Sequence, residues 1–200
     1  MCVAAGQPVA AIAVGQCPGP REALVSMCGG FARFDASRLV FDEVRPAEMP
    51  AWARSLLVHD RHMTRVLAEQ YGRAVNLYVM EQHSDGRHYA RKIFLTAGQT
   101  ADAVEYGVAR LDLSALPAPA RREILGQRIP LGAVLMRHSA MRRIEPLWYL
   151  RLAPDSPMAR WFGARPAGEM YGRIGIIHCD QRPVVEVIEI VPNPTEHEQR

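Results

Sequence analysis

The chain has 200 residues, 48% of them hydrophobic and 22% charged, a balance that excludes disorder for the body of the molecule and admits one core able to enclose a pocket. Its formal charge is +3, from 24 basic and 21 acidic residues, with no block of like charge and no basic stripe interleaved with aromatics, so nucleic acid is a poor partner. No segment approaches 18 consecutive apolar residues, and no membrane span is expected.

The first 50 residues carry little pattern. Val9 to Val14 is a short apolar run with no Lys or Arg before it and Pro8 beside it, which falls short of a secretory signal. Cys2, Cys17 and Cys28 lie here and Cys179 near the other end; without a C-x-x-C pair the spacing suits neither a zinc site nor a disulfide framework, and a reducing cytoplasm is the expected setting. Residues 1 to about 30 read as a loosely packed extension, and Pro46-Ala47-Glu48-Met49-Pro50 as a connector. The expected division is an extension and connector over 1–50 and a domain over 51–195.

Beyond the connector the patterns sharpen. Met63, Val66, Leu67 and Gln70 recur at helical spacing, with Asp60 as a cap and Gly72 where a left-handed C-terminal cap belongs. Val75–Met80 alternates as a strand, Ser84-Asp85-Gly86-Arg87 is a hairpin turn, and His88–Leu95 returns. Ala103–Leu113 is a third strand. Pro117 and Pro119 open a short helix, Arg121 to Leu125, closed by Gly126, and Leu131–Arg137 is a second helix after the Ile129-Pro130 break. Arg143–Leu152 reads as a strand and Pro157–Phe162 as a turn or two of helix. Tyr171–Cys179 and Pro183–Val191 form a last hairpin. About six strands in sequence, without β-α-β alternation, predict an α+β fold: one antiparallel sheet with helices packed on it.

Generic catalytic motifs are missing. His59 and His62 lack a third metal ligand and read as capping or half-exposed histidines. His178 and Cys179 are strand neighbours on opposite faces and cannot readily share a proton. Lys92 is the only lysine; the arginine bias fits either a GC-rich coding sequence or anionic ligands, so only individual arginines carry weight. The informative residues are charges inside apolar strands. Arg91 shares a face with Tyr89, Ile93 and Leu95, and Arg110 shares one with Tyr106 and Val108. Glu186 and Glu189 interrupt the last strand and point to opposite faces. Such charges need a partner or hydrogen bonds, because burying one alone costs several kcal/mol. Structural Arg–Glu pairs and a ligand pocket are both open readings.

Four segments taken together resemble the chorismate pyruvate-lyase family. They are His62-Met63-Thr64-Arg65, Tyr89-Ala90-Arg91-Lys92-Ile93-Phe94-Leu95, Ile129-Pro130-Leu131-Gly132 and Ile188-Glu189-Ile190-Val191-Pro192, spanning about residues 57 to 192. The resemblance implies a chorismate lyase-like fold whose internal cavity, sealed by flaps, holds the product 4-hydroxybenzoate. It implies Arg91 as the carboxylate anchor, Glu189 as the hydroxyl contact and acid/base residue with Glu186 as the alternative, and backbone N–H groups at Met63 and Leu131 as orienting donors. Arg110 matches a second arginine, for the enolpyruvyl carboxylate of chorismate. No cofactor or metal is implied, and the stretch from Ala153 to Met170 is longer than in the family. The same fold also serves as a non-catalytic effector-sensing module, and lyases giving another hydroxybenzoate are conceivable. The expected partner is a small molecule, with the oligomeric state open.

Overall fold

The computed structural model describes residues 13–99, 102–138, 142–162, 164 and 168–194; Cys2 and most of the Val9–Val14 run lie outside them. Seven antiparallel strands form one sheet. In chain order they are β1 (Asp42–Val44), β2 (Val75–Ser84), β3 (His88–Ala97), β4 (Ala103–Asp112), β5 (Arg142–Leu152), β6 (Met170–Cys179) and β7 (Arg182–Val191), arranged β1-β5-β6-β7-β4-β3-β2. The helices are α1 (Pro20–Cys28), α2 (Ala51–Leu57), α3 (Met63–Tyr71), α4 (Ala118–Leu125), α5 (Leu131–His138) and α6 (Pro157–Trp161). The architecture is α+β, as expected, with one strand more than the sequence patterns indicate.

Local chemistry explains the element ends. Gly72 takes φ 61° and stops α3 with a left-handed cap, while His62 rather than Asp60 precedes its first turn. Asp180 and Gln181 both adopt positive φ, the mirror-image turn whose twist suits a two-residue hairpin between β6 and β7.

Side chains alternate across the sheet and build two layers. On one face α2 to α5 cover odd-numbered residues of β3, β4, β6 and β7, including Tyr89, Ile93, Leu111, Tyr171 and Val187. The opposite face carries Ala90, Val108, Ile174, Ile188 and Ile190, covered by Val14, α1, Phe31, Leu39 and α6. The segment before residue 50 is therefore not loosely packed where it is described. Leu24, Met27 and Cys28 of α1 are fully buried, and β1 pairs with β5. The expectation of loose packing over residues 1 to about 30 is corrected for Val14 and α1, which lie in the core. Because helices lie on both faces, the central strands β3, β4, β6 and β7 are buried on both sides. Arg91, Glu105, Arg173 and Glu189, in the middle of these strands, are largely cut off from water.

No helix among the described residues is long and apolar enough to cross a membrane. Cys17 and Cys28 are free thiols, and Cys179 is buried.

Candidate functional site

Four charged side chains project from those central strands into the helix-covered layer. Arg91 on β3 is 1% exposed, Glu105 on β4 3%, Arg173 on β6 0% and Glu189 on β7 7%. Strand register sets their spacing. Arg91 pairs with Ala109, Gly107 with Glu189, and Glu189 with Arg173. Glu105 lies two residues along β4 from Gly107, a diagonal neighbour of Glu189. Two strand spacings across and two residues along separate the Cα atoms of Arg91 and Glu189 by roughly 12 Å, which leaves room for one substituted ring between the side-chain ends.

The space between them is a cavity of about 50 Å³, lined by Arg91, Ile93, Glu105, Gly107, Val187 and Glu189 from the sheet. Its far wall is the start of α3, with His62, Met63 and Thr64, and the start of α5, with Leu131 and Gly132. One water needs roughly 10–15 Å³ on this measure, so the cavity admits several waters or a compact organic acid. Gly107 keeps its floor clear, since a side chain there would meet the Ile188 carbonyl at 2.9 Å. The two helix starts nearly touch: a Cβ on Gly132 would stand 2.9 Å from Thr64 Oγ1. First-turn N–H groups have no partners inside their own helix, and the helix dipole makes such ends attractive to an anion.

The four charges are not equivalent. Arg173 Nε donates to Glu189 Oε2 at 2.5 Å, and its Nη1 donates to the carbonyls of Leu57 at 2.8 Å and His59 at 2.9 Å. This pair is largely satisfied and ties the segment between α2 and α3 to the sheet. His59 belongs to the same network: its Nδ1 lies 3.3 Å from Arg173 Nη1, so the proton sits on Nε2, 2.6 Å from the Leu56 carbonyl. Burial, then Arg173, hold the His59 pKa below its ordinary value.

Arg91, by contrast, makes no ion pair among the described residues, and its Nε and Nη1 find no acceptor in hydrogen-bonding geometry. Burial lowers its pKa, while the Tyr89 hydroxyl and Glu105 oppose that shift. A guanidinium stays charged regardless. Glu105 is similarly uncommitted, with Oε2 unpartnered. Burial, then the Glu189 carboxylate, push its pKa well above the ordinary value, against the pull of Arg173 and Arg91. Glu105 therefore favours the carboxylic acid form, while Glu189 accepts from the Arg173 guanidinium.

A raised carboxyl pKa means that the folded chain binds more protons than the unfolded one. This contribution to stability is fully present below the ordinary value of 4.5 and is lost as pH rises through the folded value. Thermal unfolding of ligand-free protein across that window is expected to fall more steeply for wild type than for Glu105→Gln.

The sequence expectations divide on this geometry. Arg91, Glu189, Met63 and Leu131 all border the cavity. Arg110 does not. The β3–β4 register pairs it with Ala90, not Arg91, and so turns it to the opposite face. There its Nε donates to Glu186 Oε2 at 2.6 Å and its Nη1 to the Ser26 carbonyl of α1 at 2.8 Å. Glu186 also accepts from the Val14 N–H at 2.6 Å. Arg110 is thus corrected from a cavity residue to an anchor for the amino-terminal segment, and the choice between the two glutamates falls on Glu189. Arg110→Ala is expected to leave ligand affinity within about twofold while lowering stability by about 3 kcal/mol, the usual order for stripping one partner from a mostly buried pair; calorimetric titration and thermal melts read the two effects.

Glu105 and Arg173 were not singled out by the sequence reading. Both carried the signal that selected Arg91, a charge inside an apolar strand. His178 pairs with Glu145, Nε2 to Oε2 at 2.9 Å, and plays no part here. Among the described residues no group of three or more His, Cys, Asp and Glu side chains gathers as a metal site.

No protein-family model matches this sequence, and no curated protein matches it. Solved structures do. The effector domain of PhnF from Mycobacterium smegmatis is 13% identical with a TM-score of 0.46, covering 68% of this chain and 90% of that one. The C-terminal domain of the histidine utilization repressor from Pseudomonas syringae pv. tomato DC3000 is 7% identical with a TM-score of 0.39, covering 59% and 91%. Likenesses this distant carry no functional argument.

Proposed function

We propose that this chain is a binding module for a small planar monocarboxylic acid of the hydroxybenzoate type, held in the cavity between Arg91 and the Glu105–Glu189 pair without being turned over. One observation carries the reading: a fully buried guanidinium with two nitrogens lacking acceptors faces a cavity that also receives two helix N-termini. Isolated, that charge is costly; a ligand carboxylate supplies the missing acceptors and offsets the cost. The apolar walls from Ile93 and Val187 suit a flat ring.

Charge count favours a monoanion. Arg173 is committed to Glu189 and Arg110 to Glu186 on the other face, so Arg91 is the uncommitted guanidinium at the cavity. Chorismate carries two carboxylates, and the arginine expected to meet its second is elsewhere.

A catalytic reading, chorismate pyruvate-lyase, keeps one specific support. A carboxyl at Glu105 that favours its acid form, and Glu189 paired with Arg173, bring two groups able to move protons to one cavity. Elimination breaks the ring C3–O bond, removes the C4 proton and releases enolpyruvate, which becomes pyruvate as the ring aromatises to 4-hydroxybenzoate. Side chains that move protons and hold anions are enough for that step.

Incubating pure protein with chorismate, and titrating it separately with 4-hydroxybenzoate in a calorimeter, tests both readings. The binding module predicts 4-hydroxybenzoate uptake with chorismate left intact. Production of 4-hydroxybenzoate that disappears in Arg91→Ala and Glu189→Gln would overturn it in favour of the lyase.

A further inference from the structure

We propose that Glu105 is a specificity-determining residue, donating a hydrogen bond to a ligand hydroxyl whose own proton is accepted by Glu189, so that the cavity selects hydroxy acids over unsubstituted and amino acids of the same shape. This rests on the binding reading above and names the far end of the ligand. Glu105 belongs to no ion pair among the described residues, yet it is buried within β4 and lines the cavity. Its Oε2 has no hydrogen-bond partner. Nothing in the packing of β3 or β4 requires a carboxyl there; an apolar side chain would fill the same strand position without the cost of burying a polar group. An uncompensated carboxyl at a cavity wall is the mark of a group completed by a ligand.

Register places it where such a ligand would end. Arg91 stands at the level of Ala109 and Glu105 at that of Leu95, four residue pairs further along β3, with Gly107 leaving the lane between them open. Glu189, opposite Gly107 on the neighbouring strand and a diagonal neighbour of Glu105, borders the same cavity, held by Arg173 through Oε2. The two glutamates have opposite needs. Glu105, driven toward its acid form by burial and by Glu189, has a proton to give; Glu189, facing Arg173, is an acceptor. A hydroxyl satisfies both because it donates and accepts at one atom. A ring amine donates well but accepts poorly, and leaves the Glu105 proton without a partner. Sites built to hydrogen-bond a substrate group discriminate more sharply than apolar ones, since the wrong ligand strands a buried polar group.

The test is calorimetric titration of benzoate, 4-hydroxybenzoate and 4-aminobenzoate against wild type, Glu105→Gln and Glu105→Leu. Wild type is expected to bind 4-hydroxybenzoate about tenfold or more tightly than the other two, in line with one charged-class hydrogen bond. Glu105→Gln keeps most of that preference, because its amide still donates. Glu105→Leu loses it and binds the three acids alike. Benzoate binding with no hydroxyl preference in wild type, or a preference that survives in Glu105→Leu, overturns the assignment while leaving Arg91 as the carboxylate anchor. Failure of wild type to bind any of the three acids overturns both.

Discussion

Arg91→Leu is expected to abolish ligand binding and, at the same time, to make the ligand-free protein more stable. Two charge-assisted hydrogen bonds to a carboxylate contribute roughly 3 kcal/mol or more, so affinity falls on the order of 100-fold. The ligand-free chain meanwhile bears a buried guanidinium without an ion-pair partner among the described residues. Exchanging buried ionic groups for packed apolar ones stabilises by about 1–4 kcal/mol in favourable cases, several degrees of melting temperature at this chain length. Loss of function with gain of stability is the mark of a residue kept for its ligand. A melt and a titration on one variant read both.

Arg173→Leu is expected to behave in the opposite way. It leaves Glu189 buried without its guanidinium and strips donors from the carbonyls of Leu57 and His59. Breaking a buried pair from one side costs about 3–5 kcal/mol, a large part of what holds a domain this size together. Removing both charges in Arg173→Leu with Glu189→Leu should recover much of that loss, because no ion is left stranded. A double-mutant cycle from denaturant unfolding gives the coupling; simple additivity of the two single losses would contradict it. The contrast between Arg91 and Arg173, similarly buried arginines on one face of one sheet, separates a ligand contact from a structural pair.

Neither distinction was fully legible in the sequence. Alternation revealed β2 to β7 because long half-buried or buried strands impose a period of two on the side chains. It showed that Arg91 shares a face with Tyr89 and Ile93, and that Glu186 and Glu189 cannot share one. What it could not supply was the offset between strands. Arg91 and Arg110 each looked inward on its own strand, but the pairing of Ala90 with Arg110 sends them to opposite faces. Register of that kind depends on a hairpin geometry that no single strand encodes. The glutamates followed the same rule: Glu186 opposes Arg110, and Glu189 opposes Gly107 and Arg173.

The amino-terminal half of the missed structure has a different cause. Strand β1 is three residues long, too short for any period to emerge. Helix α1 did carry signals: Pro20 at its first position, and Leu24, Met27 and Cys28 at core spacing. Its position before a proline-rich connector made it read as an appendage. It instead closes the face of the sheet opposite the cavity, and the Arg110–Glu186 pair fastens it there. That closure buries the even-numbered face of β3, β4, β6 and β7, while α2 to α5 cover the face that carries Arg91 and Glu105.

The most direct measurement is a crystal structure of the chain with 4-hydroxybenzoate. The account predicts the carboxylate within hydrogen-bond distance of the Arg91 guanidinium, near the first-turn N–H groups of Met63 and Leu131, with the hydroxyl between Glu105 and Glu189. A ligand bound outside this cavity, or an Arg91 guanidinium that pairs with a protein carboxylate instead, would contradict it.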